Sequence, residues 1–308
     1  MKAPERHVVF IPGKNPKPLP ALHHEVLWRC ITAGARGATE ASAADMDSLA
    51  QRFHIAGWNR MYYGADADIH GDLPWVAHML ANPDTDPLAR LGRWRIRYTR
   101  FIYTLGDLIP LLTRVAADED ARNTLEETRR YFENEGGIAD RIRQQVKDSL
   151  RPLFEAGCSV MLVGHSLGSV IAYDTLWELS WRDAMPWHVD QLLTLGSPLG
   201  MFYVQRRLRG HGERGPRRYP ANVRHWTNVS AAGDLMALDR HLRNDFHAML
   251  RLGMVEDITD YTHGVEALFR TAEGPNPHRC YGYFFNPLVA RLITAWMRGE
   301  PRVDAQPT

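Results

Sequence analysis

Alternation of two hydrophobic patterns is the feature of this sequence that most constrains its fold. Short apolar runs rich in β-branched residues, starting with the N-terminal HVVFIPG, have the composition of buried strands. Between them, apolar residues recur every three or four positions, as in ALHHEVLWRCITAGA from Ala21 to Ala35, which predicts a helix. Strands joined by helices form mainly parallel sheets, because a crossover helix returns the chain to the edge where the first strand began. The sequence therefore predicts an α/β fold with a mainly parallel central sheet flanked by helices.

One block of the chain departs from this alternation. From about residue 72 to residue 153, helical spacing continues without a strand pattern. We expect this block to be a helical cap inserted into a single domain that spans residues 1–308. The strand patterns are FHIAGWNRMYYG before the block and CSVMLVG, VDQLLTLGSP and ANVRHWTNVSAAGD after it, and NPLVARLITAWM closes the pattern as a helix.

Charge and composition exclude several classes of protein. Thirty-seven basic and thirty-six acidic side chains give a net charge of +1, so no global field attracts nucleic acid. No apolar run has the roughly 18 residues of a transmembrane helix, and the first apolar run is too short for a signal peptide, so we expect a cytoplasmic protein. The three cysteines match neither a disulfide framework nor a zinc pattern, and no metal or other cofactor is predicted. Nothing in the composition indicates an oligomeric state.

A serine lies between two glycines in GHSLG, where the strand pattern SVMLV gives way to the helical pattern SVIAYDTL. A nucleophile at such a junction needs a sharp, strained turn, and Gly164 and Gly168 relieve the crowding on either side of it. The turn pushes the hydroxyl outward and places Ser166 at a helix start, where unpaired N–H groups favour negative charge. We interpret Ser166 as a nucleophile and the N–H of Leu167 as an oxyanion donor. A serine that caps an ordinary strand–helix loop is the alternative.

The motifs GHSLGS and VVFIPGK resemble those of the α/β-hydrolase superfamily, in particular its lipase- and esterase-like members. The resemblance implies the α/β-hydrolase fold, here with a shortened N-terminus because the first strand begins so early. It also implies a second oxyanion donor in the loop after that strand, where the N–H of Lys14, or that of Gly13, would serve. Finally, it implies a catalytic triad in the chain order serine, acid, histidine, with each residue in a loop after a later strand.

Several residues compete for the roles of acid and base. Asp234 follows the strand pattern NVRHWTNVS and is preferred to Asp239, which lies five residues further on. His278, in GPNPHRCYGYFFNP before the last helix, is preferred as the base to His263, which follows the strand pattern MVEDIT. His165, beside the serine, is interpreted as structural support. A helix-capping role for the aspartate and a surface role for either histidine are the alternatives.

Two arginine-rich features stand outside this scheme. Arg90, Arg93, Arg97 and Arg100 recur at helical spacing, and the loop at residues 206–220 carries six more arginines. Such stripes are typical of solvated faces. Binding of an anionic substrate, a lipid headgroup or a partner is the alternative.

Together these assignments predict a metal-independent serine hydrolase that cleaves a carboxylic ester through an acyl-enzyme on Ser166. His278 would be the general base, Asp234 would orient its imidazole, and the N–H groups of Leu167 and Lys14 would hold the oxyanion. The expected substrate is a small-molecule ester, with a lipophilic acyl group if the cap lines the site. A hydrolase-fold protein that binds without turnover, and an acyltransferase or thioesterase, are the alternatives.

Overall fold

A six-stranded sheet lies at the centre of the protein. The computed structural model describes residues 3–36, 43–82, 128–237 and 239–302. Every neighbouring pair of strands in the sheet is parallel, in the spatial order β2-β1-β3-β4-β5-β6. The strands are β1 (Arg6–Ile11), β2 (Phe53–Ile55), β3 (Ser159–His165), β4 (Val189–Leu195), β5 (Val223–Val229) and β6 (Asp257–Tyr261). The predicted α/β class with a mainly parallel sheet is confirmed.

Helices flank this sheet, as the sequence predicted. They are α1 (Pro20–Ala35), α2 (Ala43–Ala50), α3 (Asn59–Tyr63), α4 (Leu73–Ala81), α5 (Ile138–Glu155), α6 (Leu167–Trp181), α7 (Phe202–Gln205), α8 (Leu242–Asp245), α9 (His247–Arg251), α10 (Cys280–Phe285) and α11 (Pro287–Arg298). A short antiparallel pair, β7 (Arg270–Thr271) and β8 (Gly274–Pro275), precedes α10. Among the described residues, no helix combines the length and the apolar character that a membrane span requires.

The hydrophobic core has two layers, one on each face of the sheet. Successive side chains of a strand point to opposite faces, so Val8 and Phe10 of β1 pack with α1, α10 and α11, whereas Val9 and Ile11 pack with α5 and α6. All four of these side chains are fully buried. The continuous apolar runs of the sequence are thus explained by strands that are covered on both faces.

The register of the sheet brings the carboxyl ends of its central strands to one edge. Ile11 of β1 pairs with Gly164 of β3, and the ends of β3 and β4 pair through His165 and Leu195. The loops that follow these strands therefore leave the sheet side by side. In an open parallel sheet this edge is where ligands bind.

Part of the predicted helical insertion, residues 83–127, lies outside the described residues, and so does the arginine stripe at residues 90–100. Of the remainder, α4 and residues 128–132 are helical. The last helix of the predicted block, α5, buries Ile142, Val146 and Leu150 in the same core layer as α6. This helix therefore belongs to the layer that covers the sheet.

The arginine-rich loop at residues 206–220 is described and is largely exposed. It lies against α6, where the indole N–H groups of Trp177 and Trp181 each donate a hydrogen bond of 2.7 Å to a carbonyl oxygen of the loop. Its arginine side chains also lie over aromatic rings; the guanidinium of Arg207, for example, is 3.8 Å from the ring centre of Tyr203.

Candidate active site

Ser166 forms the turn between β3 and α6. Its φ of 54° and ψ of −128° are a strained conformation for a residue with a side chain. A Cβ atom at Gly164 would lie 2.6 Å from the Cα of Ser169, and one at Gly168 would lie 2.2 Å from the carbonyl oxygen of Ile11. Only glycine fits at either position without a shift of the backbone, because both distances are below the contact limit for carbon. The two glycines of the motif are therefore required by close backbone approach.

Three side chains at the carboxyl edge form one continuous line of hydrogen bonds. The Nε2 atom of His278 lies 2.8 Å from the Oγ of Ser166. The Nδ1 atom of the same ring lies 2.9 and 3.0 Å from the two carboxylate oxygens of Asp234. Because a carboxylate only accepts, Nδ1 carries the proton, and Nε2 of the neutral ring is left to accept the proton of the serine.

The structure thus brings Asp234 and His278 to the serine, and places the competing residues elsewhere. The carboxylate of Asp239 accepts a hydrogen bond from the backbone N–H of His241 at 2.9 Å. The Nδ1 atom of His263 lies 3.0 Å from the hydroxyl of Thr262, its neighbour in the chain.

The carboxylate of Asp234 is fully buried and firmly held. The hydroxyl of Tyr283 donates to its Oδ2 at 2.6 Å, and the N–H of Met236 donates to its Oδ1 at 2.9 Å. Burial by itself raises the pKa of Asp234, but the positive charge that His278 carries when protonated and the hydrogen bonds from His278, Tyr283 and Met236 outweigh it and bring the pKa below its usual value. The group is therefore ionised at neutral pH, as an orienting carboxylate must be.

Tyr283 has no counterpart in the sequence-based assignment. It lies in the apolar run CYGYFF of α10, where nothing distinguishes it from a residue of the core. Burial, and then the negative charge of Asp234, raise the pKa of Tyr283 well above its usual value, so its hydroxyl stays protonated and donates. The only available signal was the general need of a buried tyrosine hydroxyl for a partner.

His165 packs against the ring and the backbone of His278. Its ring packs against that of His278 with centroids 4.9 Å apart, and its Nε2 lies 2.8 Å from the carbonyl oxygen of His278. Burial, followed by the positive charge that His278 carries when protonated, lowers the pKa of His165 well below its usual value, so the ring of His165 is neutral. Since a carbonyl can only accept, the single N–H of His165 is on Nε2 and holds the backbone of His278.

The loop after β1 passes directly over the serine. A Cβ atom at Gly13 would lie only 2.8 Å from the Cβ of Ser166 and 2.9 Å from the Nδ1 of His165. Leu167, the other expected donor, is the first residue of α6, where a backbone N–H has no acceptor within the helix. The loop that contains Lys14 and the start of α6, the two predicted sources of oxyanion donors, therefore both lie next to Ser166.

Two side chains that follow β2 hold this loop in place, and neither was predicted. The amide of Asn59 donates to the carbonyl oxygen of Gly13 at 2.7 Å and to that of Asn15 at 2.8 Å. The indole of Trp58 donates to the carbonyl oxygen of Pro12 at 2.8 Å. In a trans peptide the N–H points opposite to the preceding carbonyl, so the N–H of Lys14 points away from Asn59.

Ser166 is less accessible than the sequence predicted. The residue is only 1% exposed, because the loop after β1 and the ring of His278 cover it. It is reached through a cavity of about 170 Å³, which is lined by the loop at residues 13–18, the segment at residues 67–72 and residues 276–281. Charged and polar side chains form much of this lining, including Lys17, Asp72 and Arg279.

The arrangement can perform nucleophilic chemistry on a carbonyl carbon. A serine hydroxyl bonded to an imidazole, a buried carboxylate behind that ring and backbone N–H groups beside the serine are the parts that such a reaction needs. Among the residues that the structure describes, no three His, Cys, Asp or Glu side chains cluster as metal ligands would. A comparison of the chain with protein-family models, with curated proteins and with solved structures finds no match.

Proposed function

We propose that this chain is a serine hydrolase of the α/β-hydrolase type, which cleaves a carboxylic ester through an acyl-enzyme on Ser166. The observation that carries the proposal is the line of hydrogen bonds from the Oγ of Ser166 to His278, at 2.8 Å, and on to Asp234, at 2.9 Å. The strained turn at the serine supports it as well, because an ordinary helix cap has no need of such a conformation.

In the first half of the reaction, the Nε2 of His278 takes the proton of Ser166 while the Oγ bonds to the carbonyl carbon of the ester. The electron pair of the carbonyl moves onto its oxygen, and the N–H groups of Leu167 and Lys14 stabilise the resulting oxyanion. When the tetrahedral intermediate collapses, the bond to the alcohol oxygen breaks. The imidazolium gives its proton to that oxygen, and the alcohol leaves.

Water completes the reaction by the same steps. It loses a proton to the Nε2 of His278 and attacks the acyl-enzyme, and the bond to the Oγ of Ser166 breaks. The serine recovers the proton, and the carboxylic acid is released. Through both halves the ionised Asp234 stabilises the imidazolium and keeps the neutral ring in the right tautomer. Loss of this carboxylate lowers kcat by about four orders of magnitude in enzymes with such a triad.

The test is covalent labelling with a fluorophosphonate probe, with the modified peptide identified by mass spectrometry. The wild-type protein is expected to be labelled at Ser166, Ser166→Ala to be unlabelled and His278→Ala to be labelled much more slowly. His263→Ala is the matched control and should label like the wild type. Absence of labelling in the wild type, or labelling that survives in Ser166→Ala, would refute the proposal and favour a protein that binds without turnover.

Once labelling is established, esters of increasing acyl length distinguish the finer possibilities. Hydrolysis of 4-nitrophenyl acetate, butyrate and octanoate in water is expected for an esterase. Release of nitrophenol that depends on an added alcohol or thiol, with the acyl group recovered on that acceptor, would assign acyl transfer instead.

A further inference from the structure

The cavity beside Ser166 holds buried cationic side chains for which the proposed reaction has no use. Lys17 and Arg279 line it, together with the carboxylates of Asp68 and Asp72. A site for an uncharged ester has no need of buried cations, because each ion that is removed from water costs free energy unless it is paired.

Arg279 is already matched within the protein. Its guanidinium lies 2.5 Å from the carboxylate of Asp72, which ties the residue after His278 to the start of α4. The second carboxylate, Asp68, contacts the ring of His70. Neither carboxylate is therefore fully available to neutralise a further cation in the cavity.

Lys17 is the cation of this cavity that has no carboxylate as a counter-ion among the described residues. Its ammonium donates to the carbonyl oxygen of Lys14 at 2.6 Å, and within the described part of the chain no carboxylate forms an ion pair with it. Burial, opposed in part by the negative charge of Asp72, lowers the pKa of Lys17 to about 8. At neutral pH most of the ammonium is still protonated, and an anion in the cavity would stabilise it.

The ammonium also lies close to the expected oxyanion donor. The amide nitrogen and carbonyl oxygen of one residue are at most about 3.6 Å apart. The Nζ of Lys17 is 2.6 Å from the carbonyl oxygen of Lys14. The Nζ therefore lies within about 6 Å of the amide nitrogen of Lys14, whose N–H would hold the oxyanion. An acyl chain with two or three methylene groups between the ester carbonyl and a second acidic group fits within this limit.

We propose that the site takes half-esters of short dicarboxylic acids, such as succinyl and glutaryl esters, with Lys17 binding the free carboxylate of the acyl group. This inference rests on the function proposed above and names its substrate class. A cavity of about 170 Å³ suits an acyl group of this size. The single charge of Lys17 favours a monoanionic carboxylate over a phosphate dianion, because Asp68 and Asp72 face the same space.

The kinetic test compares three methyl esters: monomethyl glutarate, methyl 5-methylhexanoate, in which an isopropyl group replaces the carboxylate, and methyl 4-(phosphonooxy)butanoate. For the wild type we expect kcat/KM for the glutarate to exceed that for the neutral ester by about tenfold or more, which is typical of a hydrogen bond to a charged group. In Lys17→Met this ratio should fall to near one, and Lys17→Arg should restore most of it. If circular dichroism shows that Lys17→Met is unfolded, Lys17→Gln provides a second neutral variant.

Arg224→Met is the matched control, because it removes one positive charge at the opposite end of the sheet. Arg224 is the second residue of β5, and its side chain is 53% exposed. Its ratio of kcat/KM values should equal that of the wild type. The inference is overturned if the wild type does not discriminate between the glutarate and the neutral ester, if the ratio survives in the neutral Lys17 variants, or if the phosphate ester is preferred.

A binding measurement separates this inference from the proposed catalysis. Calorimetry should detect binding of monomethyl glutarate to Ser166→Ala. In the double variant that also carries Lys17→Met, this binding should be weaker by about tenfold or more. If the fluorophosphonate fails to label the wild type but this binding depends on Lys17, the catalytic proposal fails and the carboxylate site stands. If labelling succeeds but binding and kinetics are indifferent to Lys17, the carboxylate site is refuted and the hydrolase stands.

Discussion

The hydroxyl of Tyr283 joins the stability of the core to the candidate catalytic acid, and Tyr283→Phe tests that connection. The hydroxyl donates to Asp234 at 2.6 Å and accepts from the N–H of Ala231 at 2.9 Å. All three residues are fully buried, so water has no access to replace either hydrogen bond. The substitution removes one oxygen atom and leaves the ring, and hence the packing of α10, in place.

The expected loss of stability follows from the two bonds. A hydrogen bond to a charged group contributes about 1.5–3 kcal/mol, and a buried N–H without a partner costs about 1–3 kcal/mol. Because the two losses share one oxygen and are not additive, we expect the free energy of unfolding to fall by about 3 kcal/mol at pH 7.

Part of this loss should depend on pH. The pKa of Asp234 is depressed in the folded protein, so the stability that this group contributes is present above its unfolded pKa and is lost as the pH falls through the folded one. Removal of the hydroxyl raises the folded pKa of the carboxyl, which costs stability only where Asp234 is ionised. The difference between variant and wild type should therefore shrink as the pH is lowered from 7 towards 3, and the share due to Ala231 should remain.

Urea unfolding at a series of pH values measures this difference, with Tyr281→Phe as the matched control. Tyr281 lies on the same helix and is 3% exposed. In the described part of the chain its hydroxyl has no hydrogen-bond partner, so we expect a change of less than about 1 kcal/mol. A loss at pH 7 in Tyr283→Phe no larger than in the control, or one that is constant from pH 7 to 3, would refute the reasoning.

Three further substitutions test other parts of the structure. Gly168→Ala places a methyl group 2.2 Å from a carbonyl oxygen of β1, so fluorophosphonate labelling should be abolished and the melting temperature lowered; unchanged labelling would contradict the geometry of the turn. Asn59→Ala frees the loop that carries one proposed oxyanion donor, and kcat should fall by about a hundredfold with little change in KM, the effect of losing such a donor. An effect on KM alone would argue against this role of the loop. Glu178→Gln leaves Arg143 and Lys147 beside a neutral group, and the free energy of chemical unfolding should fall by about 3 kcal/mol. A more stable variant would show that the cost of removing these charges from water exceeds their attraction.

The features that could be predicted from the sequence are those whose physical cause is local. The central strands β1, β3 and β4 were visible because a strand covered on both faces is apolar along most of its length. The turn at Ser166 was visible because the crowding that it creates falls on the residues two positions away, and only glycine relieves it. Neither inference needs any knowledge of which distant segments come together.

The contacts of the candidate site needed the tertiary structure. His278 meets Ser166 across 112 positions of sequence, and it meets Asp234 across 44. Asp234 was ranked above Asp239 because it directly follows a strand pattern, whereas His278 was ranked above His263 from a family resemblance; neither ranking shows that the side chains meet. The register of the parallel sheet decides which loops leave its edge side by side.

Two site residues were not predicted because their partners are also distant in sequence. The hydroxyl of Tyr283 and the amide of Asn59 bond to atoms 49 and 46 positions away, and the residues around each of them in the sequence are typical of core and of loop. The burial of Ser166 and the charged lining of its cavity are likewise properties of assembled loops. The sequence by itself determined the main helices and strands and the strained turn at Ser166, because these depend on neighbours along the chain. The tertiary structure alone decided which side chains meet in the candidate site, because this depends on how the strands are ordered and aligned in the sheet.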